Sequence, residues 1–127
     1  MDLSVFTNNL GKFSKAYSPD KLIGKITKVA KKAGLKTVYA ALLLYNALLS
    51  ENIPLKDKAV VVAALGYFIM PVDIIADILP GGFVDDAGVL VYAAKLIWDN
   101  ITPETHEKAR AQLSKWFGEI DPADLTI

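Results

Sequence analysis

Residues 55–69 read LKDKAVVVAALGYFI, and the fold turns on how that stretch is read. From Ala59 through Val60, Val61, Val62, Ala63, Ala64 and Leu65 to Tyr67 and Phe68 it is apolar on nearly every side. A helix with no polar face is normally the buried centre of a bundle. The β-branched run Val60 to Val62 would also suit a strand. The apolar stretch is long, however, and no neighbouring segment looks like a partner strand, so a helix from about Leu55 to Ile69 is predicted. Pro54 breaks the chain before it. Met70-Pro71 ends it, because the residue before a proline avoids the helical region.

Working outward, the neighbours read as helices with recognisable ends. Leu3, Phe6, Leu10, Phe13 and Tyr17 follow a 3-4-3-4 spacing and share one helical stripe, weakened by Gly11. Ser18-Pro19-Asp20 is a start signal: a capping hydroxyl, a first-turn proline and an acid at the positive end of the dipole. The helix it opens runs to about Ala33 and stops at Gly34. Leu22, Ile23, Ile26, Val29, Ala30 and Ala33 share one face, and Lys21, Lys25, Lys28, Lys32 and Lys36 the other. Thr37 is the expected cap of a leucine-rich helix reaching Ser50. Downstream, Asp85 is the expected cap of a helix from Asp86 to about Asn100. Thr102-Pro103-Glu104 then repeats the start signal. The last helix sets Ala109, Leu113, Trp116, Phe117 and Ile120 on one face and stops near Gly118, with a frayed tail from Asp121. Every junction is short, which favours antiparallel neighbours. The expectation is an all-α, single compact bundle of five to seven helices around a buried central apolar helix, with residues 1–127 as one domain.

Composition agrees. A chain of 127 residues can bury one core without staples. Its apolar fraction of 53% and mean hydropathy of +0.32 call for an unusually apolar core or for apolar surface that meets a membrane or partner. The absence of cysteine rules out disulfides, zinc-thiolate sites and thiol nucleophiles, and fits a reducing compartment. No secretory leader is read in residues 1–20. The longest apolar run, Ala59 to Val72, has 14 residues, short of the roughly 18–20 a spanning helix needs. Net charge is zero, yet residues 1–36 carry eight lysines against Asp2 and Asp20, while residues 59–101 carry five aspartates against Lys95. That asymmetry suggests either a basic surface and an acidic site, or a basic helix neutralised by the acidic end.

The acidic part is concentrated. In the stretch from Gly66 to Asp86, a Pro-x-Asp (Pro71, Asp73) is followed by Asp77, Pro80-Gly81-Gly82 and the pair Asp85-Asp86. The flanks are Lys32-Ala33-Gly34-Leu35-Lys36-Thr37-Val38-Tyr39, Ile53-Pro54-Leu55-Lys56-Asp57-Lys58 and Ile101-Thr102-Pro103-Glu104. Together these motifs resemble the YkvA-like bacterial domain family over about residues 20–118. Ala76 departs from the pattern, since family members often have a second proline there. The resemblance implies a small bacterial helical domain of unknown function, often membrane-associated, with no established catalysis.

On the residues alone, three roles stand open for Asp73, Asp77, Asp85 and Asp86. They can cap helices by accepting backbone N–H bonds. They can pair with the basic helix. Or they can converge as oxygen ligands for Mg²⁺ or Ca²⁺, although the spacing fits no EF-hand loop. The lysine row reads either as a solvated bundle face or as a surface for anionic lipid. Nucleic acid is not an expected partner, because Arg110 is the only arginine and no recognition helix is evident. His106, the single histidine, reads as a surface residue beside Glu104 and Glu107, with no serine tied to it as in a triad. Gly81-Gly82 lacks the pattern of a phosphate loop. Trp98 and Trp116 read as core or interface residues. The reading is therefore of a non-enzymatic adaptor or peripheral membrane-associated module. It would be cytoplasmic, at the inner face of the membrane, with an anionic lipid surface or a protein as partner and with oligomers open to it. The alternative is a divalent-cation-binding domain or cation-dependent enzyme built on the four aspartates.

Overall fold

The structure, a computed structural model, describes residues 4–50, 53–71, 73–75 and 86–125. In chain order its helices are α1 (Ser4–Thr7), α2 (Leu10–Ser14), α3 (Pro19–Ala33), α4 (Leu35–Leu48), α5 (Leu55–Ile69), α6 (Asp86–Leu96) and α7 (Pro103–Phe117). Short 3₁₀ turns occupy Trp98–Asn100 and Pro122–Leu125. Among the described residues there is no strand.

The start signals act as anticipated. Ser18 is extended and its hydroxyl accepts from the Lys21 N–H, with Pro19 in the first turn of α3. Thr102 does the same for α7, accepting from the Thr105 N–H at 3.2 Å. At the other end of α5, Met70 turns extended ahead of Pro71, as the pre-proline clash requires.

Elsewhere local physics departs from the expectation. The N-terminal stripe is two short helices rather than one, interrupted at Asn9, whose φ of −126° is not helical. Phe6 and Phe13 still reach the core. Thr37 does not cap α4. Gly34, at φ 93° and ψ 161°, both ends α3 and begins α4, and its N–H bonds the Ala30 carbonyl. A positive φ of that kind suits glycine because no Cβ clashes. Lys36 consequently lies in the first turn of α4 rather than on α3. The predicted helix to Asn100 stops at Leu96, and Ile97, at φ −105°, leads into the 3₁₀ turn. The tail is docked rather than frayed as far as Leu125, which is buried within the same core cluster.

Two helices share the centre. α5 buries Val61 and everything from Ala63 to Phe68, while Leu55 and Ala59 at its start stay exposed. α4 buries the run Val38 to Leu44 and then Asn46 and Ala47, and it packs against α3, α5, α6, α7 and the closing 3₁₀ turn. Each fully buried leucine in that run contributes on the order of 1.5–3 kcal/mol of transfer free energy. α2 lies on α5 at Gly66, where a side chain would overlap the Phe13 carbonyl. Phe6, Phe13 and Tyr67 fill the space beside it, with ring centroids 5.0–5.8 Å apart.

Candidate functional site

The lysine row is the first candidate. α3 buries Leu22, Ile26 and Ala30 and half-buries Val29 and Ala33, which turns the opposite side outward. Lys21, Lys28, Lys31 and Lys32 are exposed there. Lys25 is half-buried, with its Nζ 6.0 Å from the Phe68 ring centroid, the outer limit for a cation–π contact. Lys36 is exposed on the adjoining turn of α4. Ile23 departs from its expected apolar face and is 37% exposed. Among the described residues the ion pair present is Lys108 with Glu104, so no acid there answers the lysines of α3. Trp116 ties this helix to α7 through its indole N–H, which donates to Thr27 Oγ1 at 3.3 Å.

The aspartate corner is the second. Past Met70 the chain turns at Pro71, whose carbonyl accepts from the N–H groups of Ile74 and Ile75. Residues 73–75 are helical, with Asp73 and Ile74 exposed and Ile75 buried. Asp86 opens α6. Asp77 and Asp85 lie outside the described residues, and with them the Asp85 cap and the alternative in which the four carboxylates converge. Among the described residues no three carboxylates or histidines are grouped so as to hold a metal ion.

The third candidate went unread in the sequence: a polar seam where α7 crosses α4. Tyr39 is 3% exposed, and its hydroxyl lies 2.8 Å from His106 Nδ1. The Trp98 ring meets the histidine edge-on, with centroids 5.2 Å apart. His106 is thus half-buried between two rings, not a free surface residue. Burial pushes its pKa below the ordinary 6.5, and the Arg110 charge adds to that. Burial raises the Tyr39 phenol, with Arg110 opposing. With the ring neutral, the hydroxyl can donate to Nδ1 and leave the ring proton on Nε2. Two turns further along α4, Asn46 Nδ2 donates to the Leu42 carbonyl and to Gln112 Oε1, both at 2.8 Å. The one local signal for this seam is that Tyr39 and Asn46 stand seven residues apart, on one face of a helix that is apolar between Ala40 and Leu44.

Comparison with known proteins gives two partial matches. Residues 57–92, covering most of α5, the aspartate corner and the first part of α6, match the family model described as "Protein of unknown function (DUF1232)". The chain is YkvA-like. Over 62 residues it is 42% identical to the "Uncharacterized membrane protein YkvA" of Bacillus subtilis (strain 168), a match spanning 48% of this chain and 50% of that protein. No solved structure matches.

Proposed function

We propose that this YkvA-like protein is a non-enzymatic module that attaches peripherally to an anionic membrane surface through the lysine row of α3. The observation that carries the reading is a row of exposed lysines with no described acid paired to them. An unanswered basic row on a helix whose other face is anchored in a core is suited to lie flat on a charged plane. Near an anionic bilayer each lysine contributes about 1 kcal/mol, so a handful held on one rigid face gives useful affinity without insertion. The similar Bacillus protein is named as a membrane protein. Among the described residues no helix here is long and apolar enough to cross a membrane, so surface attachment reconciles the two.

The test is co-sedimentation with phosphatidylserine vesicles over a salt series. Binding is expected at low ionic strength and lost toward about 1 M, where the screening length falls to about 3 Å. Replacing Lys21, Lys28 and Lys32 by Gln should weaken binding about fivefold per residue, following about 1 kcal/mol each. Absence of binding at low salt, or a triple variant that binds like the parent, removes the membrane reading.

A further inference from the structure

The end of α4 and the start of α7 enclose a cleft of about 340 Å³, lined by Asn46, Ser50, Thr102, Glu104, Thr105 and Lys108 among others. Asn46 is only 7% exposed, and both N–H groups of its amide are used, on Leu42 O and Gln112 Oε1. Flipping that amide would set its oxygen against the Leu42 carbonyl, so the orientation is fixed by the network. Oδ1 is left without a protein partner. Because no buried side-chain oxygen or nitrogen among the described residues is both sealed and unpaired, Oδ1 reaches solvent, and the cleft is the opening that Asn46 lines.

The charges around that oxygen point the same way. α4 has no basic residue of its own in its last turn, and the cation that lines this cleft is Lys108 of α7. The positive end of α7 is already answered, by Glu104 in its first turn and by the Thr102 hydroxyl on the Thr105 N–H. Glu104 is held only loosely by Lys108, at 3.8 Å with both side chains largely in water. Its carboxylate is free to meet a better donor. The acceptors this cleft offers a ligand are therefore an almost buried amide oxygen and a loosely held carboxylate.

We propose that this cleft binds a small primary ammonium group, donated N–H to Asn46 Oδ1 and to the Glu104 carboxylate. A free aliphatic amine and the ethanolamine headgroup of a lipid share that chemistry. The site is independent of the α3 lysine row. The experiment is a titration of the ¹⁵N-labelled chain, following the side-chain amides of Asn46 and Gln112. One arm uses ethanolamine against choline, which lacks an N–H donor. The other uses bicelles with phosphatidylethanolamine against phosphatidylcholine alone. Saturable shifts with ethanolamine, or with its lipid, and none with the quaternary counterpart support the site, and which arm responds names the source. Glu104→Gln, an exposed change that leaves the fold intact, should weaken binding about tenfold. Choline or phosphatidylcholine acting equally well, no response to either ammonium source, or unchanged affinity in E104Q overturns it.

Discussion

The contact of α2 with α5 and the contact of α7 with α4 solve the same packing problem in opposite ways. At the first, the chain removes a side chain: Gly66 lets helix backbone lie against the Phe13 carbonyl, and three aromatic rings fill the margins. At the second, bulk is kept and polar groups are buried in pairs, Tyr39 with His106 and Asn46 with Gln112. The first contact is specified by shape, and shape tolerates little change. The second is specified by hydrogen bonding, which selects one alignment of the two helices and leaves groups that can titrate or accept a ligand.

The sharpest way to break this contrast is Gly66→Ala. In an open helix position the change would stabilise by up to about 1 kcal/mol. Here the new Cβ meets backbone atoms of Phe13 that cannot rotate away, and the expected loss is about 3 kcal/mol, the upper part of the overpacking range. Urea midpoints measure it, and a neutral result would mean that α2 does not sit on α5. Next comes Asn46→Leu, which leaves Gln112 without its described partner. A loss of about 2 kcal/mol is expected from the forfeited buried hydrogen bonds, and Gln112→Leu in the same chain should restore part of it. Thr102→Ala, which frees the Thr105 N–H, should cost about 1 kcal/mol. Gly24→Ala, where nothing lies within 4 Å of the added methyl group, should raise the melting temperature by a few degrees, in line with a gain of up to about 1 kcal/mol.

The smallest effect is the pH dependence of the seam. The folded His106 ring has a pKa below the ordinary 6.5. As pH falls, the unfolded chain takes up the proton first. The contribution to stability is therefore whole above about pH 6.5 and is lost as pH drops through the folded pKa. Denaturant midpoints at about pH 7.5 and about pH 5 should differ more in the parent than in His106→Gln. An identical difference in both would show that the seam does not sense protons.

How far the sequence could be read follows the same division. Features encoded by neighbouring residues were legible: the limits of α5, the Ser18 and Thr102 caps, and the stops at Gly34 and Gly118. The start of α4 was misread because capping rules look for a side-chain oxygen, and here one glycine serves two helices. Lys36 was assigned to the wrong helix for the same reason. Ile23 faces outward because a face is a sector about 100° wide, and six apolar positions overfill it. The seam was illegible because its partners stand 66 and 67 residues apart, and nothing local in the sequence pairs Tyr39 with His106. Of the aspartate corner, Asp73 is seen exposed and Asp86 opens α6, while the other two acids fall outside the described residues.

The shared glycine also has a mechanical consequence. With no linker between α3 and α4, the lysine-bearing cylinder cannot swivel on a tether of its own. Whatever surface grips it dictates the attitude of the whole body, and with it the direction in which the mouth beside Asn46 opens.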